Sequence, residues 1–200
     1  MANVAAHPLD PVDWPVETER LLLRPATEDD FPAVWAYRRL PEVSRWLGAQ
    51  PPDFETYADR YRAPERLATQ VLVLHSGTIV GDLMVRFEDP WAQAESSEQV
   101  RGTLIELGWS FDPAWHGRGL ATEAVRAAIG LAFGPLGVRR VVANCFAENE
   151  PSWRLMERLG MRREAHNVRD SYHSELGWLD NLTYALLVEE WPTASGRAAT

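Results

Sequence analysis

The densest chemical signal is the run Trp109-Ser110-Phe111-Asp112-Pro113-Ala114-Trp115-His116-Gly117-Arg118-Gly119-Leu120-Ala121-Thr122-Glu123-Ala124. It reads as a strand end, a turn with two glycines and the start of an amphipathic helix. A helix start exposes unpaired N–H groups and a partial positive charge, which together bind anions. Glycine at 117 and 119 removes the Cβ that would hold those amides away from a phosphate, and Arg118 adds a charge-assisted contact. The chemistry expected is pyrophosphate binding, with a purely structural glycine turn as the alternative. The spacing is not the G-x-G-x-x-G of dinucleotide-binding folds.

Just upstream, alternation places Thr103, Ile105, Leu107 and Trp109 on one strand face and Leu104, Glu106, Gly108 and Ser110 on the other. Glu106 is the candidate general base. A carboxylate among apolar neighbours in a central strand is partly desolvated, which raises its pKa toward a useful value. The competing reading is a carboxylate that is solvated or paired with an arginine. Cys145 alternates with Val141 and Ala143 and reads as a small core residue. His166 and His173 have no evident carboxylate or thiol partners, so no metal site is expected. Asp82, Glu88, Asp89, Glu95 and Glu98 read as a solvated loop or as the border of a cation-binding cleft.

Composition narrows the classes. The 200 residues are 46% hydrophobic, enough for one sizeable core and too few for several domains. All 20 basic residues are arginine, which removes Schiff-base chemistry and the lysine of a Walker A loop. The net charge of −9 argues against a nucleic-acid partner and suits a cationic acceptor such as an amine steered into an acidic cleft. No apolar run is long enough to span a membrane, and no secretory signal is visible. The single cysteine, Cys145, points to a reduced, cytoplasmic setting.

The positioning elements follow from pattern. Residues 19–25 read as a strand, and Thr27 caps a helix that runs to about Leu40. A short helical segment follows, with Val43, Trp46 and Leu47 on one face, then a polar helix over 53–67. Residues 71–76 and 79–87 form a hairpin about Gly77-Thr78. Strands over 103–112 and 139–146 flank a helix over 119–133, and a helix over 152–159 precedes strands over 162–171 and 181–189. That order predicts an α+β fold with a mostly antiparallel sheet and one βαβ unit near its middle. The ordered domain is expected over 17–191, with 1–16 and 192–200 as loosely held ends.

His116-Gly117-Arg118-Gly119-Leu120-Ala121 resembles the pyrophosphate loop, Q/R-x-x-G-x-G/A, of the GNAT superfamily of acyl-CoA N-acyltransferases, with histidine at its first position. Asn149-Glu150-Pro151-Ser152 followed by Leu155-Met156-Glu157-Arg158-Leu159-Gly160-Met161 is similar to that family's N-x-x-S…L-M-E-x-L-G-F stretch. Residues 19–25, with Trp178-Leu179-Asp180 and Tyr184-Ala185-Leu186, look like the Rim-type branch, whose founders acetylate the N-termini of ribosomal proteins.

The resemblance implies a twisted sheet with helices on both faces and a V-shaped cofactor cleft between the strands at 103–112 and 139–146. Backbone groups of Trp109, Ser110 and Phe111 would hold the pantetheine and thioester carbonyl, and His116 to Thr122 the pyrophosphate. Asn149 and Ser152 would also contact the cofactor, with Ser152 near its sulfur. The reaction implied is acetyl transfer from acetyl-CoA, or from another acyl-CoA such as succinyl-CoA, to a primary amine by direct attack. Glu106 would be the base. Ser152 would be the acid, because Met156 stands where many members have a tyrosine; Tyr184, Tyr172 and His173 are alternatives. Trp35, Trp46 and Trp178 would lie near the acceptor. A non-catalytic acyl-CoA sensor is the competing class, and a homodimer is compatible with the branch.

Overall fold

The computed structural model describes residues 8–192; residues 1–7 and 193–200 of the expected loose ends lie outside the described residues. The elements are β1 (Val16–Glu17), β2 (Leu22–Pro25), α1 (Phe31–Arg38), α2 (Pro41–Ser44), α3 (Phe54–Arg62), α4 (Pro64–Leu67), β3 (Gln70–His75), β4 (Thr78–Glu88), β5 (Leu104–Phe111), α5 (Leu120–Phe133), β6 (Arg140–Phe146), α6 (Glu150–Arg158), β7 (Arg162–His173) and β8 (Gly177–Leu187). Among the described residues they form one eight-stranded sheet in the order β1-β2-β3-β4-β5-β6-β8-β7. Every neighbouring pair is antiparallel except β5 with β6.

That parallel junction is short. Leu104, Ile105 and Glu106 pair with Arg140, Val141 and Val142, and the ladder ends there. β5 continues to Phe111 paired only with β4, and β6 continues to Phe146 paired only with β8. The two strands therefore fork, leaving one edge of β5 beyond Glu106 without a sheet partner, and unpaired main-chain groups there need another partner.

Helices cover both faces. Leu120, Ala124, Val125, Ala128, Ile129 and Ala132 of α5, with Leu155 and Met156 of α6, pack on Val71, Val73, Ile105, Leu107, Val141 and Ala143. On the other face Phe31, Val34, Tyr37 and Val43 of α1 and α2 pack with Tyr57 and Ala58 of α3 on Leu72. Ile105 and Leu107 thus face α5, on the face that alternation assigned to them.

Local chemistry fixes the ends. Asp30 accepts from the Thr27 N–H at 2.8 Å and the Thr27 hydroxyl at 2.9 Å, and Arg24 holds its carboxyl below the usual range. This capping arrangement starts the α1 region at the expected residue. Two expectations change. The polar helix over 53–67 is split, because Ala63 is extended (ψ 124°) before Pro64, whose ring disfavours a helical predecessor. The ordered body also starts before residue 17: Leu9 and Val12 are buried, and the Trp14 indole donates to the Leu9 carbonyl at 3.1 Å.

Candidate active site

The fork opens into a cleft of about 1010 Å³. Glu106, Leu107, Gly108 and Trp109 of β5 line it from one side, and Asn144, Cys145, Phe146, Asn149 and Ser152 of β6 and α6 from the other. Met84, Arg86 and Phe87 of β4 extend the floor. Trp46 to Ala49, Arg60, Tyr61, Glu65 and Arg66 form the far wall. The structure thus brings together Glu106, Trp109, Asn149 and Ser152 in one cavity.

Glu106 is not in the apolar setting expected for it. Its carboxylate is ion-paired with Arg86 and accepts from Asn144 Nδ2 at 3.2 Å. The competing reading, an arginine-paired strand carboxylate, describes its surroundings. Arg86 is its register partner on β4, and Asn144 is held in turn by the Thr183 hydroxyl at 2.8 Å. Neither partner was visible in the sequence, because the long connection between β4 and β5 leaves their register open.

Ser152 sits in the first turn of α6 and lines the cleft together with Cys145. Burial pushes that thiol up to about 11, against the opposing effect of Ser152. Cys145 is therefore a protonated thiol at neutral pH on the cleft wall, in line with a small buried residue rather than a nucleophile. Asn149 caps α6 at its start, and its side-chain amide makes no hydrogen bond with the described residues.

The loop of Gly117 to Thr122 lies outside this cavity, at the start of α5. Gly117 and Gly119 have φ of +73° and +77°, a region that favours glycine, and a Cβ at Gly117 would meet nothing within 4 Å. Open space at Gly117, with the Arg20 guanidinium 3.5 Å from where a Cβ at Gly119 would stand, at the head of a 14-residue helix is compatible with a pyrophosphate. Arg118 stacks on Trp115 at 4.8 Å, and its carbonyl accepts from Arg20 at 2.9 Å. Arg20 and Thr18 both bond Glu123, tying the first turn of α5 to the β1–β2 turn. His116 Nε2 pairs with the Phe111 carbonyl at 3.1 Å, so that carbonyl is already engaged.

Several candidates lie elsewhere. Ser110 is buried and donates to Asp82 at 2.6 Å. Asp82 is not a solvated loop residue: it is 1% exposed on β4 and accepts from Tyr37, Arg38 and Ser110. Met156 is in the core. Tyr184 is fully buried, donating to Glu157 at 2.8 Å and accepting from Arg163 at 2.9 Å. Tyr172 and Trp178 form an exposed edge-to-face pair on the β7–β8 hairpin. His173 Nδ1 accepts from the N–H groups of Glu175 and Leu176, so Nε2 carries the proton donated to the Arg45 carbonyl at 2.8 Å. None of these tyrosines or His173 lines the cleft. Trp46 does, whereas Trp35 packs on Tyr57. His166 has a carboxylate partner after all, Asp180 at 2.6 Å.

A cleft at a forked β5–β6 junction, with a glycine-rich helix start nearby, is the arrangement to set against known proteins. Residues 20–162 match the acetyltransferase (GNAT) domain. The chain belongs to the GNAT acetyltransferase family. It is 26% identical over 179 residues to the uncharacterized N-acetyltransferase YnaD of Bacillus subtilis, covering 88% of this chain and 98% of that one. It is 33% identical over 100 residues to the [ribosomal protein uS5]-alanine N-acetyltransferase of Escherichia coli, about half of each chain (49% and 51%). A GNAT acetyltransferase from Bacillus anthracis superposes with a TM-score of 0.74 at 29% identity, over 88% of this chain and 99% of that one. No helix among the described residues is long and apolar enough to cross a membrane.

Proposed function

We propose that this protein transfers an acetyl group from acetyl-CoA to a primary amine by direct attack in a ternary complex. The observation that carries the reading is the fork: an unpaired β5 edge and the open amide of Asn149 border the same cavity as Glu106 and Ser152. An extended pantetheine with two amides suits the main-chain groups of Leu107 to Ser110. Gly117 to Thr122 would hold the pyrophosphate. Acetyl-CoA supplies an activated thioester, and the chain's own groups do the rest.

Glu106 takes the proton from the acceptor ammonium, directly or through water, while Arg86 and Asn144 keep its carboxylate oriented. The amine nitrogen forms a bond to the acyl carbon as the carbon–sulfur bond breaks. Main-chain N–H groups on the free edge of β5 stabilise the negative charge developing on the carbonyl oxygen. Ser152 donates a proton to the leaving thiolate.

Arg101, Arg139 and Arg169, the arginines that would have favoured a larger anionic acyl group, all lie outside the cleft. A cytoplasmic site of action accords with the unpaired, buried Cys145. Thiol release from acetyl-CoA, measured over a panel of amines, tests the reading. Release that requires an amine supports it. Binding of acetyl-CoA without release, whatever the acceptor, would make the protein a sensor instead.

A further inference from the structure

The chain carries a net charge of −9, yet the charged lining of the cleft is mostly arginine: Arg38, Arg60, Arg66 and Arg86 against Glu65 and Glu106. Their partners divide these arginines into two kinds. Arg38 is neutralised by buried Asp82, and Arg86 by Glu88 and Glu106. Arg60 and Arg66 have no ion-pair or hydrogen-bond partner for their side chains among the described residues. An acidic cleft that steers a simple cation, the expectation from net charge, is therefore not what the chain builds.

The split in the polar helix explains how the two arginines come to share one cavity. In a continuous helix they would point about 120° apart around the axis, at roughly 100° per residue. The extended Ala63 ends α3 at Arg62 and the chain restarts as α4 at Pro64, and Arg60 and Arg66 both line the cavity. A guanidinium on a cleft wall without a carboxylate partner is suited to a carboxylate or phosphate, which it grips with paired, charge-assisted hydrogen bonds.

Resting on the acetyl-transfer reading, we infer that the acceptor is an amine whose own molecule carries an anionic oxygen group, a carboxylate or a phosphate, held by Arg60 and Arg66 while its amine reaches Glu106. The Trp46-to-Ala49 segment and Tyr61 complete that wall. Tyr61 is fixed by accepting from Arg38 and by packing at a tilt against Tyr57, ring centroids 4.7 Å apart.

The test uses acceptor pairs that differ only in the anion: Ala-Glu amide against Ala-Gln amide, and phosphoethanolamine against ethanolamine. Thiol release from acetyl-CoA is followed with the full chain and with the Arg60→Gln/Arg66→Gln variant. The expected result is at least a tenfold higher kcat/KM for the anionic member of one pair, falling to near parity in the variant; which pair responds distinguishes carboxylate from phosphate. Equal or reversed preference in both pairs overturns the inference. If none of the four turns over, the same pairs are compared by thermal shift in the presence of CoA, and equal shifts within each pair overturn it. Acetyl-CoA alone should raise the Tm of both proteins alike. Loss of that rise in the variant would assign the arginines to the phosphates of CoA and also overturn the inference. Its absence in both proteins would instead remove the acetyl-transfer reading.

Discussion

Glu106 and Arg86 are register partners on β5 and β4, and their side chains form an ion pair on the floor of the cleft where β5 leaves β6. A base held this way is oriented before substrate arrives, and its Arg86 partner competes with the proton it must accept. Glu106→Gln should therefore lower kcat by roughly 10²-fold if the carboxylate is the base. A loss below threefold in Glu106→Gln would reduce the residue to a strand ion pair.

Ser152 of α6 and Cys145 of β6 line the same cleft. Ser152→Ala should lower kcat by about 10²-fold if the hydroxyl protonates the leaving thiolate. The cleft keeps its shape, so the KM for acetyl-CoA should stay within about threefold. The same variant should move alkylation of Cys145 to higher pH, since Ser152 holds that thiol below where burial alone would put it. Unchanged turnover would return the acid role to another group.

Most of the fold was legible in the sequence, and the reasons are local. The Gly117 and Gly119 turn, the apolar stripe of α5 and the alternation of β5 each follow from short-range pattern, and the sheet carries them with boundaries close to those expected. Interactions across distant strands were not legible. Asp82 looks like one acid among several in a row. Its burial follows only once β4 lies beside β5 and Tyr37 and Arg38 of α1 cover it. The partners of Glu106 and the two arginines on the far wall were hidden for the same reason. Pairing depends on register across long connections, and the reorientation at Ala63-Pro64 defeats a helical projection.

Arg38 and Asp82 form an ion pair almost closed to solvent, with side chains 9% and 1% exposed. Asp82→Asn leaves the Arg38 charge buried without its counter-ion, and the expected loss is about 3–5 kcal/mol in urea unfolding. Because Ser110 and Tyr61 bond the same cluster, the variant should also loosen the acceptor wall and raise the acceptor KM. A loss below about 1 kcal/mol would mean that water or another group replaces Asp82.

Glu164 on β7 is held at about 2 by its hydrogen bonds to Arg140 and Arg162, against an ordinary value of 4.5. Its folded-state pKa is depressed, so the stability it contributes is fully present above about 4.5 and is lost as pH falls toward 2. Wild type should lose on the order of 1–2 kcal/mol more than Glu164→Gln across that window, after allowance for solvent screening. Parallel stability curves for the two proteins from pH 5 to pH 2.5 would contradict this.

The central claim is that the forked strands and the glycine turn together hold an acyl-CoA. Calorimetric titration of acetyl-CoA into the full chain and into Gly119→Asp tests it most directly. Wild type should show saturable one-to-one binding, lost in a variant that remains folded by circular dichroism, because a side-chain carboxylate at the head of α5 repels the pyrophosphate. Absence of binding by folded wild-type protein, or equal binding by both, would contradict it.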